Sequence, residues 1–313
     1  MFPVDTAIGK GGRIHTVSRA YVPATAQLRI TMYDLDSQYF GIYGGYGEGL
    51  GEFKWPTGMV SDSDGNVYVS DEQNNRINIF SHEGHPIHHW GEAGVKEGQL
   101  SGPSGIAFDM EQNLIIADHR NNRIQRFTKD GRFLMSFGNQ GEETLNMPWG
   151  VCVAEEGSIY VADWGNDRIV KYDSDGNFIR TFGNSGSGNG QFKNPSGVAV
   201  DKDGYIYVTD WGNERLEILD SDGNFIQTER GQATISKWAD EYFDGNYEEA
   251  EPRSRSNLEP DVAQFAGDPH EESAHIEKFF WGPTSVKLDE SGRVYETESN
   301  RHRVQIFERS VGI

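Results

Sequence analysis

Between Lys54 and Gln227 the chain writes one unit four times. The unit reads PTGMVSDSDGNVYVSDEQNNRINIF from Pro56 and PSGIAFDMEQNLIIADHRNNRIQRF from Pro103. It reads PWGVCVAEEGSIYVADWGNDRIVKY from Pro148 and PSGVAVDKDGYIYVTDWGNERLEIL from Pro195. Successive unit prolines stand 47, 45 and 47 residues apart. A fixed period of this length marks a repeat whose units bury their faces only against neighbours. The chain therefore cannot be cut into independent halves.

Two weaker copies extend the set. PTSVKLDESGRVYETESNRHRVQIF from Pro283 aligns without a gap. A degenerate copy starts at Pro3, with Ile14-His15-Thr16 where Val67-Tyr68-Val69 falls and an extra loop from Arg19 to Gln27. Each unit holds four short runs of β-branched and aromatic residues between Gly, Asp and Asn turns, which read as hairpins. Four antiparallel strands repeated radially make a propeller blade. The expectation is an all-β, six-bladed β-propeller with four-stranded blades, one domain over residues 1–313. The last unit has only Glu308 to Ile313 after its third strand, so that blade either has three strands or borrows one.

The units resemble NHL repeats, through Val-Tyr-Val-x-Asp followed by Asn-x-Arg-Ile. The matching residues are Asp71 with Arg76, Asp118 with Arg123, Asp163 with Arg168, and Asp210 with Arg215. The last unit departs to Glu298 and Arg303, and the first has Ser18 at the acid position. The family occurs in bacterial proteins, in animal RNA-binding and ubiquitin-ligase proteins, and in the peptide-amidating lyase. The resemblance implies fold more than activity, because function on a shared fold lives in a grafted site. An Asp and an Arg present in blade after blade read as structural, a guanidinium forking to a carboxylate or to loop carbonyls.

Function is sought where the repeat breaks. In the amidating-lyase branch, Pro-His dipeptides supply axial histidines for zinc. Here the residues after the proline are Val4, Thr57, Ser104, Trp149, Ser196 and Thr284. None is a zinc ligand of the usual kind, so no metal site is expected, and hydroxyls with Trp149 would ring the axis. The residue after each unit's acid position also varies: Arg19, Glu72, His119, Trp164, Trp211 and Ser299. These fall in a ring on one face, and aromatic anchors with a few charges suit recognition. His302 takes an Asn-like place in the last unit. Arg19, Glu72 and His119 form the best reactive cluster on the sequence alone.

A third break runs from Gly231 to Phe280, a partly helical insert between blades 5 and 6. Ile235, Trp238, Ala239, Tyr242 and Phe243 have helical spacing behind a Ser236 N-cap. Short helices are also expected at 261–265 and 271–279, with a polar link at 246–257. The Ser236-Lys237-Trp238-Ala239 start and the Phe280-Trp281-Gly282-Pro283 end are similar to helical insertions in bacterial NHL proteins. An insert this long reads as a lid or binding loop, expected to cover one face, narrow the opening and present Trp238.

The net charge of −21 opposes nucleic acid and anionic membranes as partners. No apolar run approaches the roughly 18 residues a membrane span needs. No signal peptide is visible, and the single cysteine, Cys152, fits a reducing compartment, so a cytoplasmic protein is expected. No nucleophile elbow, phosphate loop or zinc motif is present, and no cofactor is legible. Two readings stand. One is a scaffold that binds a protein, peptide or small molecule at Arg19, Glu72, His119, Trp149, Trp164, Trp211, Trp238 and His302. The other is a lyase or hydrolase at the channel mouth, using Arg19, Glu72, His119 and His302, with or without a cation drawn by the acidic field.

Overall fold

Each unit folds as an antiparallel meander because its apolar runs are strand-length and its Asp/Gly turns reverse the chain tightly. Asp62 shows the device: its carboxylate accepts from the backbone N–H groups of Asp64 (3.0 Å) and Asn66 (2.8 Å). Asp173 and Asp220 bond their own turns in the same way. These carboxylates close hairpins, as the turn chemistry predicts.

The computed structural model describes residues 2–20, 27–141 and 143–308. Part of the extra loop of the first unit, residues 21–26, and the tail from 309 lie outside the described residues. Blade 1 is built from Phe2–Ile8, Ile14–Arg19, Arg29–Tyr33 and Tyr39–Tyr43. Blade 2 uses Pro56–Ser61, Val67–Asp71, Arg76–Phe80 and Pro86–Trp90, and blade 3 uses Pro103–Phe108, Leu114–Asp118, Arg123–Phe127 and Phe133–Phe137. Blade 4 uses Pro148–Val153, Ile159–Asp163, Arg168–Tyr172 and Phe178–Phe182. Blade 5 uses Pro195–Val200, Ile206–Asp210, Arg215–Leu219 and Phe225–Glu229. Blade 6 has Pro283–Leu288, Arg293–Glu298 and Arg303–Glu308. The expected four-stranded blade is thus found five times, and the sixth sheet has three strands among the described residues. The N-terminal strand does not complete blade 6, because it pairs with Ile14–Arg19 in its own sheet.

The core lies between blades, in apolar clusters that each join neighbours. The residue three before each repeat proline is a buried knob: Phe53, Leu100, Leu145, Phe192 and Phe280. Aromatic pairs continue the seam at larger radius. The last residue of an outer strand meets the next blade's third strand at Tyr43–Phe80 (4.9 Å), Trp90–Phe127 (5.2 Å) and Phe137–Tyr172 (4.9 Å). Turn glycines make room for this. Gly84, at φ 86°, leaves space that a Cβ would take from Tyr43.

The repeated acid and arginine are structural. Asp118 accepts from Ser101 N (2.6 Å), Asn121 Nδ2, Gln125 Nε2 and Arg123 Nε (2.7 Å), while Arg123 also donates to the carbonyls of Lys96 and Gln99. The pair latches each blade to the loop that enters it. Glu298 and Arg303 repeat the contact in blade 6, so the longer acid is a conservative departure.

A second latch joins one blade to the next. The residue before the arginine adopts a left-handed conformation in five blades: Asn75, Asn122, Asp167, Glu214 and His302. Four of these side chains accept the N–H of the residue before the next blade's proline, at 2.9, 2.8, 2.7 and 2.6 Å. In blade 6, His302 instead sets its ring against Phe2, the residue before Pro3, with centroids 5.1 Å apart. His302 is exposed and takes part in the contact between the last blade and the first.

The insert forms α1 (Lys237–Gly245), α2 (Tyr247–Arg255) and α3 (Pro269–His275), with a short turn at Ala263–Phe265. Ser236 caps α1 as read, accepting from Ala239 N at 3.2 Å. α2 occupies the stretch read as a polar link. Glu248 and Glu249 open it, Arg253 and Arg255 close it, and these charges suit the helix dipole despite Pro252. α3 stops at His275, short of the expected end. Among the described residues no helix is long and apolar enough to cross a membrane.

Candidate functional site

The inner strands meet at the axis. Their lining includes Asp5, Thr57, Trp149, Ser196, Thr284 and Lys287 around a cavity of about 20 Å³. That is room for about one water. The hydroxyl ring is real but occupied. Thr57 donates to Pro103 O at 2.8 Å, Ser104 to Pro148 O at 3.2 Å and Ser196 to Pro283 O at 2.8 Å. These three hydroxyls each tie one blade to the next and Thr284 donates to Thr297 O in its own blade at 3.1 Å, so the ring does not offer free donors to a ligand as expected.

Charge at the axis was missed by sequence reasoning. Asp5 stands where blades 2 to 5 have Gly58, Gly105, Gly150 and Gly197. Its Oδ2 accepts from Met59 N at 2.7 Å and lies 3.3 Å from Lys287 Nζ. One carboxylate thus joins blades 1, 2 and 6. The signal was available, since an acid replaced glycine in an aligned column.

The variable ring lies on the face that carries the turns between second and third strands. Arg19 and His119 both reach the carbonyl of the next blade's proline, Arg19 Nε to Pro56 O at 2.7 Å and His119 Nδ1 to Pro148 O at 3.3 Å. Donation from Nδ1 places the lone pair of the neutral imidazole on Nε2. His119 is 5% exposed, and its ring meets Trp149 edge-on at 4.9 Å. Burial first, opposed by the Glu72 charge, holds His119 below the ordinary histidine value, so it is neutral near pH 7.

Glu72 bonds Arg120 at 2.6 Å. Glu72, Arg120, His119 and Trp149 therefore gather at one edge of the axial opening. Arg19 stands next to them, since the Trp55 carbonyl accepts from Glu72 N at 2.9 Å. It bonds blade 2 and lies over the Trp55 ring at 4.7 Å. Arg120 adds a cation that sequence reasoning did not name. Further round, the Trp164 carbonyl accepts from Asn194 Nδ2 at 3.1 Å, and Trp211 is 40% exposed beside α3.

The insert stands at the rim. α3 docks on blades 5 and 6 through His270 Nδ1 to Glu214 at 2.6 Å, Arg230 to Glu272 at 3.1 Å, and Arg301 to the Ser273 and Ile276 carbonyls. The chain at Gln232–Ser236 and α1 run beside Arg303–Phe307 in the third strand of blade 6. Trp238 meets Tyr33 of blade 1 at 5.8 Å, and Lys237 reaches Asp36 O. No insert residue lines the axial cavity. The insert stands on the ring face through α3 beside Trp211, and Trp238 packs on Tyr33 of blade 1. A helix starting at Ser236 is already committed to that third strand by Gln232 N bonding Gln305 Oε1 at 2.9 Å.

Among the described residues no group of three or more His, Cys, Asp or Glu could hold a metal ion. His275 stacks on Phe265 at 4.4 Å, away from the axis. Burial pushes the Cys152 thiol up to about 12, which removes it as a nucleophile.

The family model of the NHL repeat matches residues 53–80, 100–127, 145–172 and 192–219. No curated protein matches the chain. Among solved structures, the chain is similar to a protein of unknown function from Bacteroides thetaiotaomicron VPI-5482, with a TM-score of 0.64 and 16% identity over 98% of this chain and 69% of that one. It is similar to virginiamycin B lyase from Staphylococcus aureus, at 0.57 and 13% over 99% and 85%. It is also similar to a gluconolactonase from Xanthomonas campestris, at 0.57 and 14% over 97% and 84%. At such identities the likeness is one of fold. Four matched repeats set in a ring of six blades make the chain an NHL-repeat β-propeller.

Proposed function

We propose that this propeller is a recognition scaffold that binds a protein or peptide across the face bearing Glu72, Arg120, His119, Trp149, Trp164 and Trp211. The observation that carries this reading is the axial cavity of about 20 Å³, too small to admit a substrate. Recognition then falls to the surface around the opening, where indole rings and an Arg120–Glu72 pair give anchors of the kind that dominate interfaces. Residues 231–280 belong to the same domain in this proposal and flank the surface on the side of blades 5 and 6.

Site-specific photo-crosslinking tests it. A benzophenone side chain placed at Trp164 or Ser299 should capture a partner in cells, while the same group at Asp64, in a turn between first and second strands, should not. Equal yields from the two faces would overturn the assignment.

A second reading, a lyase or hydrolase at the channel mouth, is favoured by His119. Its tautomer is fixed by Pro148 O, and it stands beside the opening. The gluconolactonase of similar fold makes a lactone the first substrate to try. Lactone opening lost in His119→Ala and kept in Arg120→Ala would favour this reading over the scaffold.

A further inference from the structure

We propose that blade 1 holds a binding site for a small monocarboxylate, received by Arg29 in the place that an acidic side chain takes in the other five blades. The argument starts from the latch. In blades 2 to 6 an arginine opens the third strand and stands in register with an acid that ends the second. The pairs are Asp71↔Arg76, Asp118↔Arg123, Asp163↔Arg168, Asp210↔Arg215 and Glu298↔Arg303. In blades 3 to 6 the arginine Nε–H donates to that acid, at 2.7 Å in blade 3 and 2.8 Å in blades 4 and 5. Blade 1 has the arginine without the acid. Its second and third strands pair Ser18 with Arg29 in the same register. Arg29 is thus the sixth latch arginine, carried by Gln27-Leu28-Arg29-Ile30 in place of Asn-x-Arg-Ile.

The guanidinium of Arg29 is unspent. Among the described residues its side chain makes no hydrogen bond or ion pair, and its Nε is buried without a partner. A serine hydroxyl reaches only as far as the carboxyl carbon of an aspartate, so Ser18 supplies neither of the two oxygens found elsewhere. Ser18 is buried and Arg29 is half-buried, so the place lies under the surface yet within reach of solvent. The neighbouring residues outside the description, 21–26, read Tyr-Val-Pro-Ala-Thr-Ala and contain no acid. Beyond them only Glu142 is acidic, and it precedes blade 4.

The sister blades define the ligand. The group that faces this arginine in each of them is a planar carboxylate, which matches the guanidinium fork. A buried donor left unpaired is costly, and a carboxylate oxygen on the Nε–H removes that cost. The net charge of −21 opposes anions at long range, but at physiological salt such fields are screened within about 8 Å. The second and third strands of blade 1 contain no acid, and Asp34 stands five residues beyond Arg29. Five residues of extended strand span about 17 Å. Contact at Arg29 therefore selects a small monoanion, while the long-range charge disfavours an acidic protein or a polyanion.

Sodium acetate is the probe, titrated into the full chain against chloride at constant ionic strength and pH 7. The Arg29 Nε–H resonance, identified by its loss in Arg29→Lys, is followed by 15N–1H spectroscopy. It should shift along a saturating curve while the Nε–H signals of Arg123 and Arg215, already bound to acids, stay in place. Ser18→Asp supplies the missing carboxylate. Its Arg29 signal should sit near the acetate-saturated position without acetate, and acetate affinity should fall by about tenfold or more. A shift linear in acetate, or shared by Arg123 and Arg215, would overturn the proposal, and so would an undiminished acetate response in Ser18→Asp. An equal response to inorganic phosphate would overturn the choice of carboxylate. A response seen only after removal of residues 309–313 would make the chain's own terminal carboxylate the occupant and overturn the assignment to a ligand.

Discussion

Glu296 is buried without a partner, and replacing it by glutamine should stabilise the protein in a pH-dependent way. It lies in the second strand of blade 6 and is 0% exposed, and neither carboxylate oxygen has a hydrogen-bond partner among the described residues. Burial first, then the charges of Glu298 and Glu214, raises its carboxyl well above the ordinary value of 4.5, with only Arg303 opposing. Between 4.5 and that raised value the native state holds a proton that the unfolded chain has released. Native stability therefore falls as pH rises through this window, by about 1.4 kcal/mol per pH unit. By pH 7.5 the loss is at most about 4 kcal/mol, three units at that slope. Glutamine does not titrate, and its amide can donate toward the carboxylates of Glu298 and Glu214. Glu296→Gln should match wild type at pH 4.5 and exceed it by about 1–4 kcal/mol at pH 7.5. Urea unfolding across that range reads the difference, in which the titrating groups that do not face Glu296 cancel. Stability curves that run parallel across the range, or a variant weaker at pH 7.5, would refute the reasoning.

The other predictions concern closure and reactivity. Asp5→Ala leaves Met59 N–H unpaired and Lys287 without its carboxylate, and should cost about 2–4 kcal/mol. Asp5→Ala with Lys287→Met should recover part of that in a double-mutant cycle. Trp238→Ala should cost about 1–2 kcal/mol by removing the blade 6 to blade 1 aromatic contact, while Trp238→Phe stays near neutral in thermal melts. Cys152 should resist a disulfide reagent at pH 8 in the native protein and react fully in denaturant, because burial keeps it a thiol until well above that pH.

Much of the fold was legible because a repeat states each local rule several times. Asp62, Asp173 and Asp220 could be read as hairpin turns because each carries the same short-range bonds. The acid and arginine of each unit could be read as latches for the same reason. His119 and Glu72 were placed together correctly, since equivalent positions in successive blades lie side by side on one face. The ring alignment gave the angular position of Arg19 but not that its guanidinium lies over Trp55. α2 was missed because charge pattern, not an apolar stripe, supports it.

What the sequence alone determined is everything set by contacts within a unit or between like units: strand positions, blade number, turn chemistry and the latch residues. Tertiary structure decided the places where unlike segments meet. The sixth blade's third strand is met by α1, Trp238 takes an outer strand's contact with Tyr33, and His302 turns to Phe2. Asp5 and Lys287, 282 residues apart in the chain, pair at the axis. Such contacts have no period in the sequence, and their partners are chosen by the closure of the ring. The cavity of about 20 Å³ at the axis follows from the same cause, since its lining comes from blades 1 to 6 and includes Asp5, Trp149 and Lys287.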